Sequence, residues 1–281
     1  IKIYLNGILV IVTSMKRMFQ DSSFNNASIK NWDLFRCEDL SYMFIGNDVF
    51  NQDLSWNTSK VTSMANLFSM SNYNNASIKN WDLSSCKDIG YMFYKNKLFN
   101  QPIGKWYTSN VTEMSGVFQY GLFNQDISKW NTSNVTKMSS MFGLSAFNQY
   151  INTSGDKWDV SKVIDMWKMF KDSSFNQDIS KWNTNKVTDM WKMFEGANKF
   201  NKDISNWKVK KSCILVDTFW DVGLSVTNKR AIANGSHWSQ NTDFIKFWRA
   251  SFIGNNLPTN NLPTTRKCNY LKPHRGHNVY V

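Results

Sequence analysis

Apolar residues recur along this chain in a fixed frame. Taking the second aromatic of an M-F-like pair as the marker, Phe19, Phe44, Phe68, Phe93, Phe118, Phe142, Phe170, Phe194 and Phe219 follow one another at steps of 24 or 25 residues, with one step of 28. Trp32, Trp56, Trp81, Trp106, Trp130, Trp158, Trp182 and Trp207 each stand 12 residues before the next of those Phe. A period held over eight rungs marks a repeat array rather than one compact domain.

The consensus reads F-N-Q-D-I-S-x-W-N-T-S-x-V-T-x-M-x-x-M-F. In its fifth copy Phe123, Ile127 and Trp130 are separated by polar residues, which predicts a short extended strand and a corner. Val135, Met138, Met141 and Phe142 then fall at i, i+3, i+6 and i+7, one face of a helix or 3-10 turn. Thr132 or Ser133 is placed to cap that turn. The expected fold class is therefore an α/β repeat solenoid of about eight 25-residue rungs, each a short parallel strand plus a helical turn. One such unit cannot bury its own apolar face, whereas a stack can.

Polar columns run alongside. Asn25, Asn51, Asn74, Asn100, Asn124, Asn148, Asn176 and Asn201 follow the leading aromatic, and Gln or Asn comes next in seven of the eight copies. Amides that both donate and accept are expected to bond backbone groups in the rungs above and below. Departures from the frame mark other features. Phe147 and Trp158 are 11 apart rather than the usual 7, so Tyr150–Asp156 (YINTSGD) is expected to bulge as a loop. The N-terminal IKIYLNGILVIV has lost the Trp and Asn columns. Val226–Asn234 and Thr242–Ser251 read as two amphipathic helices, with Gly235 closing the first. The expected organisation is an array with a degenerate N-terminal cap over 1–222, a helical C-terminal cap over 223–253, and an irregular basic tail over 254–281.

Composition agrees with repetition: 13 Trp, 20 Phe and 13 Met stand beside abundant Asn, Ser, Thr and Lys, with 4 Pro. Net charge is +12, but residues 1–222 carry 25 basic and 20 acidic side chains, a net of +5. Residues 223–281 carry 8 basic and one acidic, a net of +7, and no acid follows Asp243. The tail residues Arg266, Lys267, Tyr270, Lys272 and Arg275 are thus candidates for a partner-docking arm or for an anionic surface, nucleic acid included. The longest apolar run, Ile8–Val12, is far short of the ~18 residues of a membrane span. Because the chain begins at Ile1, a leader, lipid anchor or neighbouring domain can precede it.

Candidate chemistry is sparse. Cys37 and Cys86 occupy the column of Val61, Val135 and Val187, two rungs or ~10 Å apart at strand spacing. That exceeds disulfide reach, so both are expected as buried thiols. Cys213 lies one position off that column. Cys268, His274 and His277 do not have a familiar zinc spacing, and His237 stands apart. Asp53, Asp126, Asp178 and Asp203 share a column, but only the last two lie on neighbouring rungs, too few for a calcium ladder; turn bonding or a solvated face is expected. N-x-S/T triplets, as at Asn57 and Asn131, follow from the repeat itself. No nucleophile elbow, phosphate loop or metalloprotease helix is present. The chain is read as a non-enzyme without metal or cofactor.

The F-N-Q-D-I-S-x-W and V-T-x-M-x-x-M-F columns, with the closing DVGLSVTNKRAIANGSHWSQNTDF, closely resemble the BspA-like surface-protein repeats, in the variant found in mycoplasma-type lipoproteins and also in protists and large DNA viruses. The resemblance covers residues 10–250 and implies a divergent leucine-rich-repeat coil, right-handed, with short parallel strands on one face. It implies a secreted or surface-exposed protein that recognises a protein or glycan, with no catalytic residues to carry over. The alternative is a structural subunit of a large assembly such as a virion, tethered by the tail. Tyr150, Asn152 and Asp156 of the bulge, with the tail residues named above, are the candidate contacts.

Overall fold

A computed structural model describes residues 2–5, 8–151 and 158–254. The chain opens with an antiparallel hairpin of β1 (Lys2–Leu5) and β2 (Ile8–Ile11), Lys2 opposite Ile11. The repeats follow, each hydrogen-bonded to the next. The array is closed by α1 (Val226–Asn234), a 3-10 turn at Trp238–Gln240, α2 (Thr242–Phe247) and α3 (Arg249–Ile253).

The expected α/β rung of strand plus helical turn is not what forms. Among the described residues the repeats contain no strand and no α-helix. Successive rungs meet through single parallel bridges, Ser14 to Asp39, Asp39 to Ser63 and onward to Ile214. Rungs one and three replace the extended half with 3-10 turns, Ala27–Asn31 and Ala76–Asn80, capped by Asn26 and Asn75.

The hydrogen bonds show why neither regular element appears. In the first rung the N–H groups of Leu40, Tyr42, Phe44 and Gly46 donate forward to the carbonyls of Ser63, Ala65, Leu67 and Ser69 at 2.8–3.0 Å. The alternate N–H groups of Met43, Ile45 and Asn47 turn back onto the carbonyls of Leu40, Tyr42 and Phe44. The carbonyls of Asp39, Ser41, Met43 and Ile45 accept from the rung behind. Every group is used, half locally and half between rungs, so no helical i→i−4 run or continuous ladder can develop. Left-handed residues enforce this. Tyr42 (φ 61°) and Gly46 (φ 67°) stand four apart, and each of the nine turn segments repeats that pair, from Arg17 and Asp21 to Asp217 and Asp221. A left-handed residue every fourth position stops each helical turn after one step.

The core is built of aromatic columns. Within a turn segment the two rings lie nearly parallel, as for Phe93 and Phe99 at 3.6 Å and Phe118 and Phe123 at 3.9 Å between centroids. Between rungs, Phe44, Phe68, Phe93, Phe118, Phe142, Phe170 and Phe194 repeat at 5.7–6.0 Å. Six of the indoles also make a bond: Trp130 Nε1 donates to the Ile103 carbonyl at 3.0 Å, and Trp56, Trp81, Trp106, Trp182 and Trp207 do likewise to the preceding rung. Trp158, in the rung carrying the insertion, is buried with its Nε1 unpaired.

The Asn column forms a ladder. The side-chain oxygens of Asn51, Asn74, Asn100, Asn124, Asn148 and Asn176 each accept the backbone N–H of the Asn one rung on, at 2.8–3.0 Å. Thr132 does not cap its own turn; its hydroxyl reaches the next rung, 2.8 Å from the Asp159 carbonyl. At the C-terminus the helices supply what a further rung would. Trp238 extends the indole column, bonding the Ile204 carbonyl, and Asp243 Oδ2 accepts the Leu215 N–H. The expected second helix breaks at Trp248, whose indole bonds the Leu215 carbonyl.

Candidate functional site

Stacking fixes the inward columns and leaves outward ones free. The two residues between the Met positions of M-x-x-M-F change from copy to copy, from the buried Ser139–Ser140 of the fifth rung to part-exposed pairs further on. In the sixth and seventh rungs they are Trp167–Lys168 and Trp191–Lys192. The Lys168 ammonium lies 5.0 Å from the Trp167 ring centroid and 4.8 Å from that of Trp191, and Lys192 lies 5.3 Å from the latter. Desolvation, followed by the charges of Lys192 and Lys171, pulls the Lys168 pKa down from its ordinary value. Glu195 offsets part of that crowding. Lys171 Nζ is 3.3 Å from its Oε1, and Lys192 Nζ is 2.9 Å from its Oε2, an ion pair off the line of a hydrogen bond.

A column of acids runs beside these residues. Asp39, Asp88, Glu113, Asp165 and Asp189 precede the first Met position, held by Leu40 and Ile89 in two of these copies, with Ser63 and Lys137 at the same place in others. Each carboxylate accepts the N–H two residues on, from Ser41, Gly90, Ser115, Trp167 and Trp191, at 2.7–3.1 Å. Burial raises the Asp88 and Asp165 pKa values, and the neighbouring carboxylates of Glu113 and Asp189 add to the effect. Asp53, Asp126, Asp178 and Asp203 do the same work in the other column, each accepting a Ser N–H at 2.8 Å. Both columns are turn closures by geometry. Cys37, Cys86 and Cys213 are free and buried, and burial pushes the Cys86 and Cys213 thiols up to about 12.

A family described as a Mycoplasma protein of unknown function, DUF285, matches residues 10–82, 70–156 and 119–231. The chain belongs to this family. Three tandem matches make it a repeat protein, and their overlaps follow from a period shorter than the matched stretch. No curated protein and no solved structure matches the chain.

Within this DUF285 chain the anticipated contacts are only partly placed. Tyr150 is 45% exposed at the edge of the insertion. Asn152, Asp156, Arg266, Lys267, Tyr270, Lys272 and Arg275 lie outside the described residues, as do Cys268, His274 and His277. The fold instead gathers residues not singled out in the sequence. Lys79, Lys105 and Lys129, from three consecutive rungs, line a hollow of about 470 Å³ with Tyr107, which is 71% exposed. The signal for these clusters was available: comparing outward positions column by column, rather than for their consensus, isolates them. Among the described residues no helix is long and apolar enough to cross a membrane.

Proposed function

We propose that this DUF285 protein is a non-enzymatic recognition module of the BspA-like kind, presenting its outward columns to a protein or glycan at a cell surface. One observation carries the reading. The apolar columns are nearly invariant from rung to rung and are accounted for by stacking, whereas the pair between the Met positions differs: the places of Ser41–Tyr42 and Ser115–Gly116 are taken by the part-exposed Trp167–Lys168 and Trp191–Lys192. An array that only had to stack would have no use for half-buried tryptophans sandwiching a lysine. The ionisable groups of the array support a non-catalytic role, because the buried carboxylates already serve neighbouring N–H groups.

The test is binding by the purified full chain to a glycan array and to immobilised extracellular-matrix and surface proteins. Saturable binding that weakens when Trp167 and Trp191 are both replaced by Ser, the residue other rungs use there, is the expected result. A chain that binds nothing on either panel, or one that localises to the cytosol, refutes the reading.

A further inference from the structure

The left-handed position two residues after each marker Phe is filled in turn by Asp21, Gly46, Met70, Lys95, Tyr120, Leu144, Asp172, Gly196 and Asp221. Asp and Gly suit such dihedrals, because Gly lacks a Cβ and Asp can bond its own backbone. Met70 (φ 51°), Tyr120 (φ 61°) and Leu144 (φ 50°) do not; a bulky residue there is strained. The outer copies use the favoured residues and the middle copies abandon them.

In the companion left-handed column, large side chains are used within the fold. The Arg17 guanidinium covers the Tyr42 ring at 4.7 Å, the Tyr91 ring lies against Gly116, and Lys192 pairs with Glu195. Met70 and Leu144 instead stand 40% and 37% exposed, and Tyr120, 37% exposed, sets its ring edge-on against Tyr94 at 5.6 Å between centroids. Beside them Leu98 and Leu122, on neighbouring rungs, are 53% and 61% exposed. With Lys95 between them, Met70, Tyr120 and Leu144 fill one column along four rungs, bracketed by Asp21 and Gly46 at one end and Asp172 at the other. Isolated exposed apolar residues need no explanation, but a column of them held at strained positions does.

The ridge borders a hollow of about 360 Å³ lined by Asp48, Met70, Asn72, Lys95, Lys97 and Tyr120. Lys95 lies 5.2 Å from the Tyr94 ring and 5.7 Å from that of Tyr120, so the positive charge is held at the crest. Two copies of the chain are a poor match across this face. A two-fold contact would bring Lys95 and Lys97 against their own counterparts, on molecules each carrying +12.

We propose that Met70, Lys95, Leu98, Tyr120, Leu122 and Leu144 form a docking ridge for an acidic polypeptide segment that carries large apolar side chains. The proposal rests on the recognition reading above and names its partner class and site. A random peptide library displayed on phage is selected against the full chain. Enriched peptides are expected to combine Asp or Glu with Leu, Phe or Trp. Their affinity should fall by about tenfold or more in the M70N/Y120N/L144N triple variant. Since Asn tolerates the left-handed conformation, the thermal midpoint of the M70N/L144N double variant should hold or rise, a result that packing residues would not produce. The K95E/K97E variant should lose the same peptides, whereas D21N/D172N/D221N should keep them.

Peptides that are not acidic, peptides that bind the triple variant unchanged, or an M70N/L144N variant with a lowered midpoint each overturn the proposal. Binding lost elsewhere, as in the Trp167/Trp191 variant, removes the ridge but leaves the recognition reading intact; no enriched peptide and no array binding removes both. Glycan binding abolished by the triple variant, or wild-type dimers in sedimentation that the triple variant dissolves, would replace the acidic segment with another occupant.

Discussion

Removing one rung of the Asn ladder tests whether these side chains hold the stack together. Asn124 Oδ1 accepts the Asn148 N–H at 2.9 Å and the Gln149 side-chain amide at 3.1 Å. Asn124→Ala removes the acceptor of both bonds at once. Each hydrogen bond contributes about 0.5–1.5 kcal/mol net, and a partly buried donor left unpaired adds to the loss, so about 2 kcal/mol is expected. Asn124→Asp keeps an oxygen in the same place and should lose no more than about 0.5 kcal/mol. A repeat array need not unfold in one step, so a global midpoint is a blunt measure. Hydrogen exchange at the Asn148 amide reads the bond directly, and about 2 kcal/mol corresponds to exchange roughly 30-fold faster. Exchange should change little at the Asn74 and Asn201 amides, two and three rungs away. An Asn124→Ala variant with unaltered protection at Asn148, or an Asp variant as damaged as the Ala variant, would refute the reasoning, since the side-chain oxygen is the group it depends on.

Other expectations follow from single side chains. Trp130→Phe removes the bond to the Ile103 carbonyl and should cost about 1–2 kcal/mol, while Trp158→Phe removes an unpaired buried N–H and should be close to neutral; thermal midpoints of the two variants compare them. Asp88 and Asp165 have carboxyl pKa values raised in the folded chain, so the fold favours their protonated forms. Their contribution is complete below the ordinary carboxyl range and is lost as pH rises through the raised values. Asp88→Asn and Asp165→Asn, which keep an acceptor for the Gly90 and Trp167 N–H groups, should therefore stabilise the chain at pH 7 and lose that advantage near pH 3, as urea titrations at the two pH values would show. With thiols pushed up to about 12 and both side chains buried, Cys86 and Cys213 should resist a maleimide at pH 7.5 until the chain is unfolded, followed by peptide mass spectrometry.

Much of the architecture could be read directly from the residues. The 24- or 25-residue step placed Phe, Trp, Met and Val in columns, and those columns are the core. The recurring Asn and Gln were legible as inter-rung ligands because an amide beside a repeated backbone has few other roles. The secondary structure within a rung was not legible. Spacing of i, i+3, i+6, i+7 fits a helix face, but it also fits consecutive three-residue turns, and the two differ only in dihedrals. Where Gly46, Gly116 and Gly196 fill left-handed positions the break is visible; Tyr42, Lys95 and Leu144 at the same positions conceal it. The candidate surface was equally hidden, since Lys79, Lys105 and Lys129, or Met70, Tyr120 and Leu144, are neighbours only once the rungs are stacked.

By itself, then, the sequence determined that the chain stacks, which residues face inward, and where the copies end, because burial and amide pairing act on every copy alike and leave a period. The tertiary structure decided how each rung is folded and which outward residues meet. Both depend on the N–H groups being shared alternately between a local turn and the next rung, a bond pattern made by residues about 25 apart that no single copy contains.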